Sequence, residues 1–176
     1  ALADGAAEAV KTGVLAGEGL FSLLEQGWQP EKQAEIIAGC VAFKGSVVQA
    51  DEREQGLRRT LNLGHTVGHA VEKLSGYAVS HGRAVAIGLA VTARAAARLG
   101  YCPPACAERI AAALQRNNLP VTAPFSAEEL AEAALADKKR VGGEITLVLP
   151  RGIGDCILEK IPVSQLADLL RAGTEV

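Results

Sequence analysis

Aromatic side chains are scarce in this 176-residue sequence, which has one Trp, two Tyr and three Phe. A core so poor in rings must be built from Ala, Leu, Val and Ile, and that suits closely packed helices. Long apolar runs are missing as well. No stretch reaches the eighteen or so residues needed to span a bilayer, and no signal-peptide pattern opens the chain. An excess of basic charge is also absent. Lys and Arg number 18 against 20 Asp and Glu, a net charge of −2, so no basic surface advertises nucleic acid. The sequence has no GxGxxG after a strand and no alternating βαβ run, which excludes a nucleotide-binding sheet from it. Cysteines are few: Cys40, Cys102, Cys106 and Cys156. Only Cys102 and Cys106 stand close, in CPPAC, with no second pair to complete a zinc site. They read as free or structural thiols in a reducing, cytoplasmic compartment.

What remains is nearly half apolar, at 49%, enough for one real core, so a single domain over 1–176 is expected. The chain begins without Met, in mid-helix by its pattern, which suggests a fragment or an excised domain. Residues 4–26 read as one helix. Pro30 opens a second, running to about Ala50. A turn at DEREQG breaks at Gly56, and a third helix covers 58–73 and closes near Gly76. Residues 82–99 are apolar on most sides and form a helix buried in a bundle. Gly100 stops it, and Pro103 and Pro104 start another, to about Asn117. Ser126 and Glu129 form a capping box for a helix to about Ala136. The period then changes: EITLVLP and GDCILEKI are two short strands joined by RGIG. Residues 163–172 close the chain as a helix. The fold class is mainly α, a helical bundle domain with a small two-stranded β-hairpin.

All three histidines, His65, His69 and His81, lie within seventeen residues. On a helix over 58–73, Arg58, Asn62, His65 and His69 project within about 60° of one another. Leu63, Val67, Ala70, Val71 and Leu74 take the opposite face. A polar stripe usually meets water. Two features favour a site instead. Gly64 and Gly68 cost the helix about 1 kcal/mol each, a cost that makes sense where a backbone or ligand comes close. His65 and His69 also have the i, i+4 spacing that can put two imidazoles on one object. HxxxH alone is weak. His81 on the next loop could complete three imidazoles around a catalytic metal, or the third ligand could be a carboxylate. Asp4, Glu8 and Lys11 offer one on the first helix, although a Glu and a Lys so spaced usually form a surface pair. One Glu, two neutral His and a divalent ion leave about one positive charge, to which Lys11, Lys44 and Arg58 add three. Such a cleft wants an anion, carboxylate or phosphate, as on a phosphorylated sugar acid.

Several runs in order carry a resemblance: AAEAVKTG at 6–13, FKGSVVQADEREQGLRRTLNLGHTVGHAVE at 43–72, SHGRAVAIG at 80–88, and ADKKRVGGEITLVLP at 136–150. With them the chain resembles the C-terminal domain of the 3-dehydroquinate synthase family of sugar-phosphate cyclases. The resemblance implies a divalent metal, Zn2+ or Co2+, held by Glu8, His65 and His81. It places His69 with Lys11, Lys44, Arg58 and Asn62 as catalytic and substrate-binding residues, and adds one or both of Lys138 and Lys139 as a basic substrate contact. It implies NAD+ as cofactor, bound mostly by an N-terminal domain that this sequence does not contain, with the active site between the two domains. The implied reaction converts 3-deoxy-D-arabino-heptulosonate 7-phosphate to 3-dehydroquinate and phosphate, with the metal polarising a carbonyl made by hydride loss to NAD+. A homodimer is the family habit. This half alone should hold metal and not turn over. The alternatives are another sugar-phosphate cyclase, a metal-dependent alcohol or glycerol dehydrogenase, and a stand-alone metal-binding module. The LNLGHTVGH and DKK runs argue against the dehydrogenases.

Overall fold

The computed structural model describes residues 2–52, 56–136 and 143–175. The fold is a helical bundle carrying one hairpin, as the sequence pattern predicts. Its helices are α1 (Leu2–Ala16), α2 (Glu18–Glu25), α3 (Gln33–Ala50), α4 (His65–Leu74), α5 (His81–Arg98), α6 (Pro104–Arg116), α7 (Ala127–Leu135) and α8 (Leu166–Thr174), with short 3-10 turns at Pro30–Lys32, Leu57–Asn62 and Val163–Gln165. Strands β1 (Glu144–Gly152) and β2 (Asp155–Pro162) pair antiparallel, with Ile145 opposite Ile161 and Leu149 opposite Ile157.

α5 is the axis of the bundle. It packs against α1, α4, α6, α8 and β1, and every residue from Gly82 to Ala93 except Arg83 is buried. Small residues let neighbouring backbones touch it. A Cβ on Gly88 would lie 2.0 Å from the Gly64 carbonyl oxygen, and one on Gly173 would lie 2.1 Å from that of Val91. The core therefore gains density from backbone proximity rather than from large rings.

Two expected helices are broken, each for a backbone reason. The helix expected over 4–26 is two, because Gly17 has φ +120°, open to glycine and strained for other residues. The hairpin tip fills that corner: Gly154 N–H donates to the Val14 carbonyl at 2.7 Å, satisfying one of the acceptors that a helix end leaves open. The helix expected over 58–73 is a 3-10 turn and then α4, separated at Gly64 with φ +77°. Gly64 takes that conformation where a Cβ would lie 2.8 Å from the Leu89 amide nitrogen of α5. The angular stripe from Arg58 to His69 therefore does not exist as one helical face. The glycines expected to admit a backbone or a ligand admit the backbone of α5. His81, expected on a loop, is the first residue of α5. The Ser126 box is complete, with Ser126 N–H donating to the Glu129 carboxylate at 2.8 Å and Glu129 N–H to Ser126 Oγ at 3.2 Å.

Candidate metal centre

α1 turns one carboxylate inward. Glu8 Oε2 meets Lys11 Nζ at 2.9 Å and Lys44 Nζ, which reaches over from α3, at 3.5 Å. The other oxygen, Oε1, is buried and has no hydrogen-bond partner among the described residues. It faces His65 Nε2 at 3.7 Å and His81 Nε2 at 4.0 Å. Each imidazole is oriented from behind. His65 Nδ1 lies 3.2 Å from the Leu63 carbonyl, and His81 Nδ1 lies 3.1 Å from Glu72 Oε1. Both partners are acceptors, so each Nδ1 carries the proton and each Nε2 presents a lone pair.

The electrostatics agree with a neutral His65. Burial, with the nearby Lys11 charge, pushes His65 down to about 4, so it is neutral at pH 7. For Glu8, burial works to raise the carboxyl, but Lys11, His65 and Lys44 together hold it below its usual range. Burial lowers Lys11, against the pull of Glu8. A buried carboxylate oxygen without a donor costs free energy of a few kcal/mol. A cation removes that cost. One carboxylate oxygen and two imidazole nitrogens within 4.8 Å of one another form a donor set suited to a divalent ion with an open position. The residues present fit such an ion.

The structure brings together Glu8, Lys11, Lys44, His65, His69 and His81. The HxxxH pair does not converge on Glu8; His65 and His81 do. His69 stands beside them, its ring centroid 5.4 Å from that of His65 and 6.1 Å from that of His81. His69, Glu72 and His81 also form a second close group of possible ligands. Asn62, His65, His69 and Lys73 line a cavity of about 270 Å³ between α4 and α7. On the other side of the carboxylate, Glu8 and Lys44 border a groove of about 330 Å³ walled by Trp28, Ile36, Ile37 and Val41. Arg58 sits on the 3-10 turn, where its N–H and that of Gly56 donate to Asp51 Oδ2 at 3.0 and 2.8 Å. Lys138 and Lys139 lie outside the described residues.

Sequence reasoning missed Glu72, Asp51 and the role of Asp4, whose Oδ1 accepts from Ser80 Oγ at 2.6 Å and Gly82 N–H at 3.0 Å. For Glu72 a signal existed: it lies three residues after His69 and seven after His65, on the same side of α4. Asp4 acts across the fold, where sequence spacing carries no signal, whereas Asp51 acts locally, accepting from the N–H groups five and seven residues further on.

Residues 5–140 match the family described as 3-dehydroquinate synthase C-terminal. The 3-dehydroquinate synthase of Pelobacter propionicus is 42% identical over 180 residues, spanning 98% of this chain and 50% of that protein. Among solved structures, ValA, a 2-epi-5-epi-valiolone synthase of Streptomyces hygroscopicus subsp. jinggangensis with NAD+ and Zn2+ bound, has a TM-score of 0.81 at 26% identity, over 96% of this chain and 50% of that one. A 2-deoxy-scyllo-inosose synthase complexed with carbaglucose-6-phosphate, NAD+ and Co2+ has a TM-score of 0.76 at 20% identity, over 98% and 51%, a likeness of fold alone. These neighbours define the class: the chain has the sugar-phosphate cyclase fold. The chain belongs to the 3-dehydroquinate synthase family and matches its C-terminal domain. It spans about half the length of the relatives it matches.

Proposed function

We propose that this chain is the metal- and substrate-binding half of a 3-dehydroquinate synthase, converting 3-deoxy-D-arabino-heptulosonate 7-phosphate to 3-dehydroquinate and phosphate in the cytoplasm. Glu8, His65 and His81 hold a divalent ion, zinc or cobalt. The observation that carries the reading is Glu8 Oε1, buried without a partner and facing two imidazole nitrogens. The 42% relative supports the particular reaction. NAD+ belongs to a second, N-terminal domain. The only sheet among the described residues is a two-stranded antiparallel hairpin, which offers no dinucleotide crevice. A homodimer is the proposed assembly. Among the described residues no helix is long and apolar enough to cross a membrane.

A divalent ion held there would supply Lewis-acid polarisation of a substrate oxygen. The chain's own residues do the rest. Lys11 and Lys44 neutralise Glu8 Oε2 and leave Oε1 for the ion. Lys11 is almost fully buried, so its ammonium is fixed in place. Lys44, half exposed, can turn toward an anionic substrate. Asn62 and His69 border the cavity next to His65, where they orient hydroxyl or phosphate oxygens, and His69 can carry a proton there. Arg58 supplies a planar fork for a carboxylate, and Lys138 and Lys139 add positive charge. Holding the substrate in one geometry supplies much of the rate.

The test is phosphate release from the heptulosonate phosphate with NAD+ and zinc. The 176-residue chain alone should be inactive, and adding an N-terminal NAD-binding domain should give turnover. Enzyme-like turnover by the chain alone, or activity confined to a different sugar phosphate, would contradict the proposal.

A further inference from the structure

His65 and His81 are held in different ways. His65 is mostly buried, with 15% of its side chain exposed, and a backbone carbonyl fixes its ring. The His81 side chain is 48% exposed, so packing does not choose its ring orientation. Its backbone is nevertheless clamped. Asp4 Oδ1 accepts from Ser80 Oγ and from Gly82 N–H, the residues on either side. A Cβ on Gly82 would fall 2.2 Å from Asp4 Cα, so α1 sits directly against this turn. A fixed backbone with a loose ring leaves the ring torsion to whatever holds Nδ1. That group is Glu72, whose side chain is only 14% exposed and whose Oε1 lies 3.1 Å away.

We infer that Glu72 is a positioning residue for the metal centre: its carboxylate accepts the Nδ1 proton of His81, fixes the tautomer and aims Nε2 at the ion without ligating it. This rests on the reading of Glu8, His65 and His81 as the ligands. An ionised partner also makes the imidazole a stronger donor to the metal, and losing such a partner commonly weakens metal binding about 10–100-fold. The competing possibility is a second ion held by His69, Glu72 and His81, which also approach closely. That ion would draw His81 Nδ1 away from Glu72 as acceptor and would raise the metal count.

The test is a Co2+ titration of the metal-free protein, followed by visible absorption and by competition with a chelator. Glu72→Ala should bind one Co2+ about 10–100-fold more weakly, with an altered absorption band and a metal-free melting temperature close to the parent's. Glu72→Gln keeps an acceptor oxygen without the charge and should fall between the two. Because Gln is isosteric, it keeps the test decisive if Glu72→Ala folds poorly. Affinities of both variants within twofold of the parent, with unchanged spectra, would overturn the inference. So would two Co2+ per chain with the second lost in Glu72→Ala. Glu8→Gln separates the two levels: if it binds Co2+ as the parent does, the metal centre itself has been misread, whereas loss in Glu8→Gln beside intact Glu72 variants overturns only the role of Glu72.

Discussion

Helices α3 and α5 are each eighteen residues long and similarly rich in Ala, Val, Ile and Gly, yet they have opposite fates. Thirteen residues of α5 are buried, but in α3 only Ile36 and Val47 are. Ile37, Val41 and Val48 of α3 are exposed at 48%, 66% and 38%. The difference lies in the surroundings: α5 has neighbours on every side, whereas α3 meets α1, α2 and short turns. The site divides along the same line. His65, Glu8 and His81 stand on helices locked to one another by backbone contact, so the donor set is preorganised. Lys44 stands on α3, and the groove beside it is walled by α3's uncovered apolar side chains. An apolar face of that kind usually meets a partner.

Adding one methyl group to each helix should separate the two most. Gly88→Ala forces a Cβ into the Gly64 carbonyl, which no side-chain movement relieves. A loss of about 3 kcal/mol or more is expected, with loss of metal binding as α4 is pushed away. Gly45→Ala on α3 meets nothing within 4 Å and should gain about 0.5–1 kcal/mol from helix propensity. Urea unfolding of both variants checks the pair. Equal effects would mean that α3 is packed as tightly as α5.

Truncation is the next test. Leu89→Ala removes a fully buried side chain of α5 and should cost about 2–5 kcal/mol. Val41→Ser on α3 should change stability by no more than about 0.5 kcal/mol. A large stability loss from Val41→Ser would show that the face is already covered.

An effect spread over several pH units should also appear. The folded value of His65, pushed down to about 4 by burial, lies below the roughly 6.5 of an unfolded histidine. Between these values the unfolded chain binds the extra proton, so stability falls as pH drops from about 6.5 to 4 and this contribution levels off below. Glu8, also lowered, acts in the same direction at more acid pH. His65→Gln should flatten the upper part of the curve for the metal-free protein, as read from denaturant midpoints at stepped pH. An unchanged slope would mean that His65 is protonated in the folded state.

Much of this architecture is legible from local chemistry. Ser126 with Glu129, Pro104 at a helix start, and the change to alternation at Glu144 each carry their signal within a few residues, and each element is present. The helix breaks at Gly17 and Gly64 are not legible in that way. A glycine in an apolar run looks tolerable until a distant backbone, the hairpin tip or α5, requires its conformation. The site follows the same rule. The histidines announce themselves by spacing, but only tertiary contact turns His81 rather than His69 toward Glu8, and only tertiary contact gives Asp4 its partners.

The donor set of the metal centre can be measured directly. X-ray absorption on the zinc-loaded protein, compared with its His69→Ala variant, reads that set. We predict two imidazole nitrogens and a carboxylate oxygen at about 2.0–2.2 Å, unchanged by His69→Ala. A sulfur shell, a shell of oxygens alone, or the loss of an imidazole in His69→Ala would contradict it.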